Sequence, residues 1–152
     1  LLILDCLCKE GNIEILELFI KNIIDRGMTY AINHSRLFED AGKSGNIEAF
    51  NIILKNFESF KDLDRAFIGA CKSGNLDLVK LIINLGITDF THGFFYACEY
   101  GHFNIVKHII DNYEISASIA DTKYIIRSGI GFAYISNYRK IVKYLETYLL
   151  RN

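Results

Sequence analysis

The chain has 152 residues, 51% hydrophobic and 23% charged, the length of one ordinary domain with enough apolar side chains to fill a core; this excludes a disordered chain. Proline and tryptophan are absent and glycine numbers 11, which excludes collagen-like and proline-rich chains. A formal net charge of −1 offers no general field to a polyanion or an anionic membrane, so no nucleic-acid and no membrane partner is expected.

At the N-terminus, LLILDCLCKEGN lacks a basic start and its apolar stretch breaks at Asp5, so it does not read as a signal peptide. The chain begins at Leu1 and not at Met, and we expect a piece of a longer protein. Along the chain Lys, Glu, Asn or Asp interrupts every apolar run before it nears the roughly 18 to 20 residues of a membrane helix. Four cysteines are too sparse for a secreted disulfide scaffold, and reduced thiols in a cytoplasmic or nuclear compartment are expected.

Self-similarity organises the rest. The segments CKEGNIEILELFI (from Cys8), GKSGNIEAFNIIL (from Gly42), CKSGNLDLVKLII (from Cys71) and CEYGHFNIVKHII (from Cys98) superpose without gaps, and YISNYRKIVKYLE (from Tyr134) is a weaker fifth. With Gly11, Gly45, Gly74, Gly101 and Asn137 as common origin, the spacings are 34, 29, 27 and 36 residues. The copies span approximately 1–25, 33–58, 62–87, 91–114 and 124–150.

Each copy predicts the same succession of elements. A short first helix carries a bulky apolar residue at −7 (Leu4, Phe38, Phe67, Phe94, Ile130). Three residues on, at −4, stand Leu7, Ala41, Ala70, Ala97 and Ala133, nearly always small, as a close approach of two helices demands. Position −3 holds Cys8, Gly42, Cys71, Cys98 and Tyr134. The origin predicts a left-handed turn, since glycine, lacking Cβ, and then asparagine tolerate that conformation best. Asn12, Asn46 and Asn75 then fit as N-caps, with Glu14, Glu48 and Asp77 near the positive end of the following helix. That second helix buries positions +4, +5 and +8, for example Leu78, Val79 and Ile82. The connections vary in length. Ile23 to Asn33 is several residues longer than Gly86 to Thr91, and Glu114 to Arg127 is longer still, with Ser116, Ser118 and Asp121 as candidate caps for an extra turn. Such insertions either decorate a binding face or are neutral.

The succession, with Ile68, Gly69, Ala70, Cys71, Lys72, Ser73, Gly74 and Asn75 followed by Asp77, Leu78, Val79, Leu81, Ile82 and Ile83, resembles the ankyrin repeat over essentially the whole chain. The richness in Ile, Asn, Lys, Tyr and Phe is similar to the large ankyrin arrays of giant DNA viruses and amoebae. The T-P-L-H start of the family's first helix is absent: its places are held by Leu2 to Asp5, Arg36 to Glu39, Arg65 to Ile68, His92 to Phe95 and Ser128 to Gly131. Lost with it are the helix-starting proline and the Thr/His hydrogen bonds between neighbouring copies, which puts regular β-hairpins in the connections in doubt. The resemblance implies an all-α solenoid of about five stacked helix–turn–helix repeats with short, irregular connections.

Other constellations have plainer explanations. Cys8 and Cys71 with Cys98 share the small-residue row, where a thiol behaves as a buried apolar group, and stacked copies would hold them roughly 10 Å apart, beyond reach of one metal ion. His34, His92, His102 and His108 form no H-x-x-x-H pair, and His102 occupies the family's usual histidine place after the turn glycine. There is no G-x-S-x-G, phosphate loop or H-E-x-x-H, and Gly129 and Gly131 fall within a predicted helix, so no catalysis and no cofactor is expected. Arg139, Lys140 and Lys143 beside Tyr138 and Tyr144 would suit a nucleic acid, but Lys80, Lys107 and Lys143 recur at +6, the solvated side of the second helix.

The resemblance implies a monomeric protein-binding module whose partner, another protein, is gripped by first helices and connections. Candidate contacts are Tyr30, Arg36, Phe60, Arg65, Phe90, His92 and Tyr124, because exposed aromatics and arginine are common anchors; burial of Phe60 and Phe90 under the next copy is the alternative. A passive spacer, or the substrate-recruiting arm of a ubiquitin-ligase adaptor with its adaptor segment elsewhere, are the other readings. Ala70→Glu is expected to unfold much of the array by burying an unpaired charge at a close helix contact; an unchanged thermal melt would refute the helix pairing.

Overall fold

The computed structural model describes residues 2–113, 115 and 118–151, with Leu2, Leu4, Asp5 and Lys9 described by backbone alone. The expectations for the Leu4 side chain, for Ser116 and for the outer ends of the first and fourth copies lie outside these residues. Among the described residues the regular structure is helical, without strands: α1 (Leu2–Glu10), α2 (Ile13–Asp25), α3 (His34–Ser44), α4 (Ile47–Asn56), α5 (Leu63–Ser73), α6 (Leu76–Asn84), α7 (Thr91–Glu99), α8 (Phe103–Asn112), α9 (Ile119–Ile135) and α10 (Arg139–Arg151). Two 3₁₀ turns, Met28–Ala31 and Glu58–Phe60, lie in the connections. Contacts gather the chain into two compact units, Leu1–Ile87 and Thr88–Asn152, described separately below.

The helix pairs are joined by the turns read from the sequence. Gly11, Gly45, Gly74 and Gly101 have φ between 68° and 82°, and Asn137 takes the same left-handed conformation at 63°. In the KSGN sequences of the second and third copies, side chains complete the turn. Ser44 and Ser73 donate to the carbonyls of Ala41 and Ala70 at 2.7 and 2.8 Å, and accept from the backbone N–H of Asn46 and Asn75. The asparagines then cap the second helices: Asn12 accepts from Ile15 N, Asn46 from Ala49 N, and Asn75 from Asp77 N and Leu78 N. The first helices have caps that the repeat pattern did not reveal. Asn33 accepts from Arg36 N at 3.0 Å and Asp62 from Arg65 N at 3.1 Å, so α3 and α5 begin without proline. Ser118 caps α9, which starts at Ile119, earlier than the expected fifth copy at residue 124; much of the long connection is therefore helix.

In the first unit α1, α3 and α5 lie side by side and α2 lies along α4. The longest contact, between α3 and α5, is of backbone on backbone. A Cβ on Gly42 would collide with the Ala66 carbonyl oxygen and stand 2.8 Å from Ala70 N; one on Gly69 would collide with the Glu39 carbonyl oxygen and stand 2.7 Å from Lys43 N. At their C-terminal ends the Asn75 amide donates to the Gly45 carbonyl oxygen at 2.8 Å, so the two helices run parallel. Phe38, Phe50, Phe57 and Phe67 fill the core, each worth roughly 1.5–3 kcal/mol when fully buried.

In the second unit α7 lies along α9 and α8 beside α10. Here the glycine admits side chains. The position of a Cβ on Gly129 lies 2.5 Å from the Phe94 ring and 3.1 Å from the Cys98 Sγ, and the Tyr138 ring fills the place a Cβ on Gly101 would take. Among the described residues no polar or charged residue is buried.

These contacts separate two kinds of helical glycine. Gly42→Ala and Gly69→Ala are each expected to cost about 2 kcal/mol, since the obstacle is backbone that cannot rotate away. Gly131→Ala, with open space at the Cβ position, is expected to gain about 0.5–1 kcal/mol. Urea denaturation of the three variants checks both signs.

Candidate functional site

Arg36 and Arg65 stand in the same register, nine residues before Gly45 and Gly74, one turn into adjacent parallel helices whose starts Asn33 and Asp62 fix. The backbone contact at Gly42 and Gly69 brings Glu39 of α3 within reach of α5. Its carboxylate accepts from Lys72 Nζ at 2.5 Å and lies 3.5 Å from Arg65 Nη1. Arg36 Nε lies 3.5 Å from Asp40. Between the helices opens a groove of about 500 Å³, lined by both arginines, Glu39 and Asp40 with Asn33, Ser35, Lys43 and Asp62. Both arginine side chains are more than half exposed, and exposed ion pairs of this kind contribute only about 0–1 kcal/mol, so their carboxylates are readily exchanged for others. The lining holds no histidine or cysteine. Its three cations and three anions suit the docking of a polar, charged surface.

The other expected contact residues are distributed around both units. In the first, Tyr30 is exposed in the 3₁₀ turn Met28–Ala31. Phe60 is 52% exposed, one face stacked on His34 with ring centroids 4.1 Å apart, while His34 leans on the buried Phe57. In the second, Phe90 is half-buried and stacked on Tyr113 at 4.9 Å, which leaves it neither an open anchor nor a core residue. His92 is exposed, its Nδ1 2.8 Å from Asp89. Burial pushes the Asp89 carboxyl up, but the hydrogen bonds from His92 and Thr91 outweigh it and hold the group below its ordinary value. Tyr124 is exposed on α9. Of the seven, Arg36 and Arg65 share one groove. Repeat reading missed its acidic half, Glu39, Asp40 and Asp62; the signal available was the cap position of Asp62 and the four-residue spacing of Arg36 and Asp40.

A second polar cluster ties α8 to α10. The Tyr144 hydroxyl donates to Asp111 at 2.5 Å, and Lys107 donates to the same carboxylate. Lys140 Nζ sits 3.9 Å from the centroid of the Phe103 ring, which meets Tyr144 edge-on at 5.5 Å. Lys140 and Tyr138, read as part of a basic patch, therefore have partners on the preceding pair. The Lys107 and Tyr144 hydrogen bonds hold the Asp111 carboxyl below its usual range, and burial, then Asp111, push the Tyr144 hydroxyl up.

Cys8, Cys71 and Cys98 are buried, and burial pushes the Cys98 thiol up. Among the described residues no three His, Cys, Asp or Glu side chains converge as metal ligands, and no helix is long and apolar enough to cross a membrane. The class so defined is an all-helical protein whose units are built from packed helix–turn–helix pairs. No family model, curated protein or solved structure matches the chain.

The Asp111–Tyr144 tie makes a signed pH prediction. A raised tyrosine pKa gives stability that is complete below the unfolded value of 10.0 and is lost as pH rises through the folded value. The depressed Asp111 value gives stability that is complete above the unfolded 3.8 and is lost as pH falls through the folded value. Tyr144→Phe should cost about 1 kcal/mol at neutral pH. It should also remove the part of the alkaline loss that belongs to this hydroxyl, as read by urea denaturation across pH.

Proposed function

We propose that the chain is a divergent ankyrin-type solenoid that binds another protein through the α3–α5 groove and the neighbouring turns, and performs no chemical step. The observation that carries this reading is the pair of exposed arginines in one register on adjacent helices, facing an open groove whose carboxylates they engage only loosely. Supporting it are the left-handed Gly or Asn turn in each copy and the side-by-side first helices within each unit. The exposed rings of Tyr30 and Phe60 belong to the connections of the same unit, those that lead into α3 and α5. The partner surface suited to it carries carboxylates for Arg36 and Arg65 and a cation for Glu39 or Asp40.

A photo-cross-linking residue placed at Arg36 or Arg65 is expected to trap one discrete partner polypeptide. The same residue at Lys55, which lines a separate groove between α2 and α4, should not. Arg36→Gln with Arg65→Gln should weaken that complex at least about 10-fold, near 1.4 kcal/mol, while lowering the melting temperature by no more than about 4 °C. Trapping at Lys55 in place of Arg36 and Arg65 would move the binding face to the second helices and sink the proposal.

A further inference from the structure

The two ends of the repeat series differ in chemistry. Which registers face a preceding helix pair can be read from contacts within each unit. At −8, Ala66 meets Gly42 and Gly129 meets Phe94; at −5, Gly69 meets Glu39; at +7, Tyr144 meets Asp111 and Phe103. In the first copy these registers hold Ile3, Cys6 and Leu18. Ile3 is 56% and Leu18 67% exposed, and at +4 Ile15 is 48% exposed. Within the same unit their equivalents at −8 and +4, Leu37, Ala66, Ala49 and Leu78, are at most 1% exposed. The α1–α2 pair thus keeps an apolar seam whose counterparts are covered at −8 and +4 and half-buried at +7, where Ile52 and Leu81 stand.

The opposite end is different. The registers that close under a following pair hold Cys8, Gly42 and Cys98 at −3, all buried, and Ile20, Leu54 and Ile110 at +9, of which Ile20 and Ile110 are buried and Leu54 half-buried. In the last copy they hold Tyr134, 75% exposed, and Glu146, also exposed. A covering helix pair there would have to bury a carboxylate.

We infer that the apolar α1–α2 face is the seat of a further helix–turn–helix pair of the same pattern, stacked ahead of the first copy. The occupant presents a small residue at −3 toward Ile3 and Cys6, as Gly42 does toward Ala66, and apolar residues at +5 and +9 toward Ile15 and Leu18, the registers of the buried Leu16 and Ile20 on α2, which lies along α4. A second copy of this chain joined head to tail does not fit, because it would offer Tyr134 and Glu146 in those places. This inference goes beyond the groove of α3 and α5 and stands or falls separately from it.

The test extends the full chain by placing a second copy of residues 33–63 ahead of Leu1, which reproduces the 29-residue spacing between Gly45 and Gly74 within the first unit. Cys6, the exposed one of the four cysteines, is the reporter. In the extended chain its maleimide modification, mapped by mass spectrometry, should slow at least about 10-fold, and the melting midpoint should rise by about 4 °C or more in one transition. Leu18→Glu in the extended chain should return both to their starting values, and in the unextended chain should leave the midpoint unchanged. Unchanged Cys6 reactivity after extension overturns the inference. So does a fall in midpoint for Leu18→Glu in the unextended chain, or a dimer in sedimentation with Cys6 protected, which would show that a second copy covers the face.

Discussion

The meeting of α3 and α5 without intervening side chains is the constraint on which the first unit depends. Gly42 and Gly69 each remove the one carbon that would hold the backbones apart, and they do so reciprocally, each against the other helix's peptide groups. Several consequences follow from that separation alone. Glu39 can reach across to Lys72 and Arg65. Asn75 can cap its own helix and still donate to the carbonyl of Gly45. Arg36 and Arg65 flank one groove.

The asparagine after the turn has two duties that usually fall to separate residues. Its oxygen satisfies amides at the start of α6, while its nitrogen reaches a carbonyl of the neighbouring copy's turn. The resemblance implied that hydrogen bonds between copies were lost with the missing T-P-L-H segment; a side chain at the other end of the first helix supplies one. Likewise the absent proline is replaced as a helix start by Asn33 and Asp62, whose side chains satisfy the amides of Arg36 and Arg65 in the first turn.

Much of the local structure was legible because it is set by single residues with strong conformational preferences. The turn row, the three asparagine caps and the buried stripes all follow from residue type and spacing. What was not legible depends on the distance between helices. Gly69 sits in a row with Cys6, Asp40, Tyr96 and Phe132, where nothing repeats, so its contact with Glu39 is invisible to periodicity. The α9 start was misjudged because Ser118, one of several candidate caps, opens a helix longer than the other first helices. In the candidate site the arginines were visible as exposed cations, but their common groove and its acidic lining required the packing. Phe60 and Phe90 were open between anchor and core, and each takes an intermediate course, one ring face stacked on His34 or Tyr113.

The glycine seam also has a meaning for how such a chain can change. Gly42 tolerates Ala66 opposite it only because neither brings bulk, whereas Gly129 is matched to the ring of Phe94. Neighbouring copies are thus fitted to one another by size, like keys cut for particular locks. Exchanging the second and fourth copies would preserve every helix and every turn, with Phe94 in the place of Phe38, but it would set the Cys98 side chain at Gly42, where only backbone has room. At the α3–α5 seam the order of the copies is therefore set by size, and another copy can take the second copy's place there only if it also lacks a side chain at −3.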